Sequence, residues 1–174
     1  MFKVEKTKLD GVLLITPPTI HEDYRGQYIE TYNEELYHIA VTGVKFVQDD
    51  ISVSRKNVLR GIHGDAETWK LVSCLYGCIW LVVVNWDPLS PQLEQWAAFT
   101  LSDRNHQQVL VPPQFGNGHL VMSDIAMFSY KQSAYYNPKG QFTIRWDDAR
   151  LKIWWPVSSP IISQRDASGG AVHE

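Results

Sequence analysis

Positive charge is in short supply: the 174-residue chain carries 16 Lys and Arg against 19 Asp and Glu. A net negative chain is not built as a general nucleic-acid binder, which needs a basic surface to displace counterions. A small anionic ligand held by a few local Arg and Lys is still compatible with that balance. Long apolar runs are also missing. None approaches the ~18 residues that cross a bilayer, and Met1 to Asp10 mixes Lys, Glu and Asp with no apolar signal core. The expectation is a cytoplasmic protein with no membrane partner. Cysteine is limited to Cys74 and Cys78. One C-x3-C pair is neither a disulfide framework nor a zinc site, and Tyr76-Gly77 between them reads as a turn flanked by buried free thiols. There is no H-x-H, so two imidazoles cannot face inward together from one strand. Convergence of the scattered His63, His106 and His119 would need ligands and supporting shell from distant positions, so no metal is expected. P-loop, G-x-G-x-x-G, G-x-S-x-G and H-E-x-x-H motifs are all missing, which removes support for phosphoryl transfer, hydride transfer and serine hydrolysis.

What the chain does have is aromatic and β-branched material: seven Trp, eight Tyr and six Phe. Short runs of it recur at Val12–Ile15, Lys45–Gln48, Ile51–Ser54, Lys70–Cys74, Ile79–Asn85, Ala97–Leu101, Gln108–Val111, His119–Met122, Met127–Gln132, Phe142–Trp146 and Lys152–Trp154. Turn residues separate them, among them Pro17-Pro18, Asp49-Asp50, Asp87-Pro88 and Pro112-Pro113. Many short strands with frequent turns predict an all-β sandwich or barrel. One helix is expected, capped by Asn33, with Glu34 and Glu35 in its first turn and Leu36, Ile39 and Ala40 as its apolar stripe. With no repeat, linker or low-complexity block, residues 1–174 read as a single domain whose tail after about residue 166 is loosely ordered.

Several residues could carry chemistry. His63 lies in Leu59-Arg60-Gly61-Ile62-His63-Gly64-Asp65. Strand alternation puts Leu59, Gly61 and His63 on one face and Arg60 and Ile62 on the other. An imidazole is the natural general base near neutral pH, and the flanking glycines admit close approach of a ligand. Lys70 follows after one short loop and could re-enter the same sheet beside His63. Arg25, Arg55 and Arg60 are candidate anion contacts, since a guanidinium offers two parallel donors to a phosphate. Tyr130 shares a strand face with Phe128, and a half-buried phenol needs a partner that a substrate can supply.

Taken in order, these segments resemble the dTDP-4-dehydrorhamnose 3,5-epimerase family. The resemblance rests on Gly11-Val12-Leu13-Leu14-Ile15-Thr16-Pro17, Asp23-Tyr24-Arg25-Gly26, Glu30-Thr31-Tyr32 and Phe46-Val47-Gln48-Asp49-Asp50. It continues through Asn57-Val58-Leu59-Arg60-Gly61-Ile62-His63, Lys70-Leu71-Val72, Ser129-Tyr130-Lys131, Tyr135-Tyr136-Asn137-Pro138, Ile153-Trp154-Trp155-Pro156 and Ser163-Gln164-Arg165-Asp166. It implies a cupin-type jelly-roll barrel with one or two short helices, a homodimer, no metal and no cofactor. The implied substrate is a nucleotide-linked 4-keto-6-deoxy sugar, and the implied pathway makes deoxy sugars for surface polysaccharide. By the same resemblance His63 is the general base, Asp166 its dyad partner, Lys70 the stabiliser of an enolate and Tyr130 the acid on the opposite face. Arg25, Glu30, Gln48, Arg60, Asn117 and His119 would contact substrate.

The chain departs from the family pattern at a few places. A Gly-Phe-Ala-His-Gly-Phe-like stretch is replaced by Gln114-Phe115-Gly116-Asn117-Gly118-His119. Asn117 therefore stands where a His is usual, and His119 where an aromatic is usual. The loop after His63 is short, and Leu81 takes a position where many members carry Asp. These features look closer to a branch acting on GDP-linked 4-keto heptoses, so the reading leaves dTDP, GDP and CDP open, and inversion at C3, C5 or both. Two other readings compete: a 3,4-ketoisomerase on a similar barrel, and a barrel that binds a sugar nucleotide without turning it over.

Overall fold

Strand β8 (Cys78–Asn85) shows why the chain folds in layers. Its run Ile-Trp-Leu-Val-Val-Val is apolar at every position, as expected of a strand covered on both faces. Ile79, Leu81 and Val83 point into the gap between two sheets, while Trp80, Val82 and Val84 point the other way. The computed structural model describes residues 2–38 and 43–169. Leu81 is fully buried in the gap between the sheets, where an aliphatic side chain contributes roughly 1.5–3 kcal/mol.

One sheet has six strands: β1 (Lys3–Lys6), β2 (Leu13–Thr16), β5 (Gln48–Arg55), β7 (Lys70–Tyr76), β10 (Gln108–Val111) and β12 (Ile125–Gln132), ordered β1-β2-β10-β7-β12-β5. The second has five: β6 (Leu59–Gly64), β8, β9 (Trp96–Ser102), β11 (Phe115–Val121) and β13 (Phe142–Thr143), ordered β13-β6-β11-β8-β9. A separate hairpin is formed by β3 (Thr19–Asp23) and β4 (Gly26–Glu30). Every pairing between strands is antiparallel. The two sheets form the expected all-β jelly-roll barrel, and among the described residues two short α-helices accompany it: α1 (Glu34–Tyr37) and α2 (Gln164–Ser168).

Three apolar clusters hold the layers. Val72, Val109, Val111 and Phe128 of the first sheet meet Leu81, Val83, Leu101 and Phe115 of the second. On the outer face of the second sheet, Leu59, Ile62, Val82 and Leu120 are covered by Ile144, Leu151 and Trp155 from the C-terminal segment. On the outer face of the first, Ile15, Leu71 and Leu110 are covered by Tyr37 of α1 with Tyr32 and Phe46.

Several local expectations need correcting. Asp49-Asp50, read as a turn, lies inside β5, where Asp50 is satisfied by the side-chain amides of Gln48 (2.8 Å) and Gln132 (2.7 Å). Of Lys45–Gln48 only Gln48 is in a strand, Phe142–Trp146 shrinks to Phe142–Thr143, and Lys152–Trp154 is not a strand but part of the covering segment. Strand β1 and the β3–β4 hairpin carry so much charge that no apolar pattern marks them. Asn33 caps α1 as expected, its side chain accepting from the Leu36 N–H at 3.1 Å, whereas Ile39 and Ala40 lie outside the described residues. Asp166, ahead of the tail expected to be loosely ordered, sits in α2, which runs to Ser168 and ends on Gly169 in the left-handed conformation.

Candidate active site

The site begins with an irregularity in β6. Paired with β11, it sets His63 opposite Asn117 but Arg60 opposite His119, so one strand carries an extra residue between these pairs. Gly61 sits at this point with φ +116°, and a Cβ there would fall 2.5 Å from Gly118 Cα and 2.8 Å from the Asn117 carbonyl oxygen. Glycine is required by both conformation and space. The irregularity overturns simple alternation. Arg60 and His63, expected on opposite faces, both border one cavity, while Ile62 packs into the outer cluster.

That cavity, about 730 Å³, lies between the sheets and takes in His63, Lys70, Tyr130, Asp166, Gln48, Arg60, Asn117 and His119. On the β6 side, His63 Nε2 and Asp166 Oδ1 are 2.6 Å apart. A carboxylate so placed fixes the tautomer with Nε2–H donating, which leaves Nδ1 as the basic nitrogen. Asp166 is delivered by α2: it is the third residue after the N-cap Ser163, whose hydroxyl accepts from the Asp166 N–H at 3.1 Å. Its second oxygen faces the Gly61 N–H at 3.4 Å. Burial pushes the Asp166 carboxyl upward, but the His63 hydrogen bond and charge, with the Gly61 and Ser163 donors, outweigh it and leave its pKa below the usual value.

The facing wall belongs to the other sheet. The loop after His63 carries the chain across the gap, so Lys70 opens β7 opposite β6 rather than re-entering the same sheet. Asp65 organises this loop, its Oδ1 accepting from the Glu67 and Thr68 N–H groups at 2.9 and 2.7 Å. Asp65 Oδ2 takes a bond from the Gln141 amide at 3.0 Å and stands 4.0 Å from Lys70 Nζ. Lys70 is 7% exposed; burial lowers its pKa, and Asp65 only partly restores it. Tyr130 lies on β12 with its ring 5.4 Å from that of Phe128, on the face expected for it. Its hydroxyl is pushed up to about 12 by burial, with the directly opposed Asp50 and Tyr136 adding to the effect. The phenol is therefore held protonated at neutral pH.

Along β11, Asn117 and His119 both look into the cavity. The His119 ring stacks on Phe128 with centroids 4.0 Å apart and planes within 8°, filling the place where an aromatic was expected. Burial, then the charges of Arg60 and His63, drive its pKa down to about 3 against a smaller opposing effect of Asp166. His119 is thus a neutral ring.

Arg25 and Glu30 are not brought to this cavity by their own chain. Arg25 is at the tip of the β3–β4 hairpin, ion-paired with Asp23 at 2.6 Å, and Glu30 ends β4. Arg55 is likewise outside the cavity lining, on the exposed side of β5. His106 bonds Gln27 of the hairpin at 3.0 Å rather than approaching His63. Among the described residues no three of His, Cys, Asp and Glu gather as metal ligands would. Sequence reasoning missed Asp50, Gln132, Gln141 and Arg165 in the lining. Strand alternation from Gln48 and Tyr130 would have found Asp50 and Gln132; nothing local marks the other two.

An imidazole–carboxylate pair on one wall and a protonated phenol with a buried ammonium on the other define an acid–base enzyme site for a small molecule. The family profile described as dTDP-4-dehydrorhamnose 3,5-epimerase matches residues 6–174. The enzyme of that name from Escherichia coli is 40% identical over 163 residues, covering 91% of this chain and 88% of the relative. The dTDP-6-deoxy-D-glucose-3,5-epimerase of Legionella pneumophila, solved with dTDP-4-keto-L-rhamnose, superposes with a TM-score of 0.92 at 35% identity, covering 97% of this chain and 92% of that one. A 3′-monoepimerase from Streptomyces bikiniensis, in complex with dTDP-quinovose, gives a TM-score of 0.87 at 27% identity, covering 94% and 84%. The chain belongs to the dTDP-4-dehydrorhamnose 3,5-epimerase family.

Proposed function

We propose that the chain epimerises a dTDP-linked 4-keto-6-deoxy sugar at C3, C5 or both, in deoxy-sugar biosynthesis. The observation that carries this reading is the disposition of His63 and Tyr130 on opposite sheets across one cavity, with Lys70 beside the phenol's wall. The dTDP ligands of the Legionella and Streptomyces structures favour that nucleotide over GDP or CDP.

The chemistry asks for these groups. The C4 ketone acidifies the C3 and C5 protons. His63 Nδ1 takes one, and Asp166 stabilises the imidazolium that forms. The electron pair left behind collects on the ketone oxygen as an enolate. A desolvated ammonium stabilises that charge more in the transition state than in the ketone, which is the role of Lys70. Tyr130 then returns a proton from the opposite face, and the centre is inverted. Arg60 at the cavity edge, set by its bond to Ser54 Oγ at 3.0 Å, is the candidate partner for the diphosphate.

A homodimer belongs to this reading. The hairpin β3–β4 pairs with neither sheet and holds Arg25 away from its own cavity. If Arg25 and Glu30 contact substrate, they contact it in the other subunit's site.

The test is proton exchange. Incubated in heavy water with the 4-keto substrate, the wild type is expected to introduce deuterium at C3 or C5, and His63→Asn to lower the rate by about 10²–10⁴-fold. Label at neither carbon would leave only a binding barrel, and a 3-keto product would make the chain a ketoisomerase.

A further inference from the structure

Lys70 has a counter-charge that does not share its cavity. Among the described residues Asp65 is the one carboxylate within 4.0 Å of the Lys70 ammonium, yet Asp65 is not part of the cavity wall that Lys70 helps to form. It sits buried in the loop that leads from β6 to β7. Its backbone carbonyl accepts from the Gln114 N–H at 2.8 Å, and the Glu67 and Thr68 N–H groups and the Gln141 amide hold its carboxylate. Burial pushes the Asp65 carboxyl up, but the Glu67 and Thr68 hydrogen bonds, then the Lys70 charge, outweigh it and leave its pKa below the usual value. The carboxylate is therefore ionised and fixed in place. At 4.0 Å the two groups attract but are not hydrogen-bonded. Asp65 thus occupies none of the three N–H donors of the ammonium, and they stay available to a substrate oxygen.

The other two carboxylates of the cavity are engaged elsewhere. Asp50 on β5 accepts from the Gln48 and Gln132 amides, and Asp166 is paired with His63. The sheet neighbours of Lys70, Val111 on β10 and Gln132 on β12, are uncharged, and Glu67 of the loop is exposed. The remaining titratable groups at the cavity are two cations, Arg60 and Arg165, and the rings of Tyr130, Tyr136 and His119, none of them a carboxylate. We propose that Asp65 is a positioning residue for the reaction: without touching substrate, it keeps Lys70 a charged ammonium with its donors free for the ketone oxygen. The proposal rests on the epimerase reading for what that ammonium stabilises. Burial lowers the Lys70 pKa and Asp65 opposes the fall. Without this carboxylate Lys70 would become a neutral amine at a lower pH, and a neutral amine gives an enolate little stabilisation.

The experiment removes the charge and keeps the loop. Asp65→Asn and Asp65→Ser each leave an oxygen to accept the loop N–H groups while deleting the carboxylate. Both are made in the wild type and in Lys70→Met, and deuterium entry into a dTDP-linked 4-keto-6-deoxy sugar is followed against pH. In the wild-type background both are expected to move the alkaline limb of kcat/KM down by about one pH unit or more, as loss of an opposite charge at this range does, with the acid limb unmoved. In the Lys70→Met background they should move neither limb and lower activity by less than about twofold, since nothing is left for Asp65 to support. An alkaline limb that stays put in both neutral variants overturns the proposal, as does an equal loss in the two backgrounds. Melting temperature at neutral pH reads the same coupling without catalysis: the neutral variants should lower it by roughly 2 °C or more beyond their effect in Lys70→Met. If the wild type introduces no deuterium, the epimerase reading fails and this difference alone decides: its presence keeps Asp65 as the support of the ammonium, and its absence removes it. Neutral variants that fold in neither background also overturn the proposal, because Asp65 would then serve the loop.

Discussion

Lys70 is where stability and chemistry oppose each other at the scale of a single residue. Its ammonium is buried, and its nearest carboxylate oxygen is 4.0 Å away, beyond hydrogen-bond reach. Asp65 does not depend on it, because that carboxylate keeps the Glu67, Thr68 and Gln141 donors. Replacing Lys70 by Met therefore removes a desolvated charge and strands no partner. The expected result is a protein more stable by about 1 kcal/mol or more at neutral pH, read as a melting temperature raised by roughly 2–4 °C per kcal/mol. The same variant should lose about 10²–10³ in turnover, the effect of removing one oxyanion stabiliser. The pH dependence has a definite sign. The folded-state pKa of Lys70 lies below its unfolded value, near 10.4. The burial cost is thus fully present below the folded pKa and relieved as pH rises through it toward 10.4. The stability gap between Lys70→Met and wild type should narrow in alkaline buffer; a gap constant with pH would mean that the Lys70 pKa is the same in the folded and unfolded chains.

At the scale of the element, β6 decides which residues meet. Its irregular pairing with β11 turns Arg60 and His63 toward one cavity, and the space for it exists because Gly61 lacks a Cβ. Gly61→Ala would force a methyl into the Gly118 backbone at a positive φ. We expect a loss of roughly 2 kcal/mol or more in denaturant unfolding and, in whatever folds, a loss of exchange activity larger than stability explains. This strand also marks the limit of what could be read in advance. Runs of β-branched and aromatic residues located β7, β8, β10 and β12 because their apolar residues face packed layers, and strand alternation put Tyr130 beside Phe128 on the correct face. It misassigned Arg60 because a bulge changes the phase without changing composition. It sent Lys70 to the wrong sheet because a five-residue loop can turn back or cross a sandwich with equal ease. It passed over β1 and the β3–β4 hairpin because strands largely outside the core have no apolar face to betray them. The His63–Asp166 pair spans 103 positions, and no local pattern could join them; only the resemblance did.

At the scale of the whole molecule, the β3–β4 hairpin is the part that the single chain leaves unused. It stands apart from both sheets, exposes Tyr24 and Tyr28, and is tied back through the Gln27–His106 bond. In the proposed homodimer a closed two-fold contact is the default symmetry, and the same surfaces serve both copies. Each cavity would then combine His63 of one subunit with Arg25 of the other. That arrangement makes a prediction about mixtures. His63→Asn and Arg25→Ala each damage every site of their own homodimer. Co-expressed, they form mixed dimers in which one cavity carries both lesions and the other carries neither. Random pairing puts half the dimers in that class, so exchange activity should recover to about a quarter of wild type. If Arg25 serves its own chain's cavity, or serves none, the mixture can do no better than the mean of the two parent homodimers. Sedimentation of the same samples separates the cases further, because recovery requires a dimer and a monomeric chain cannot show it.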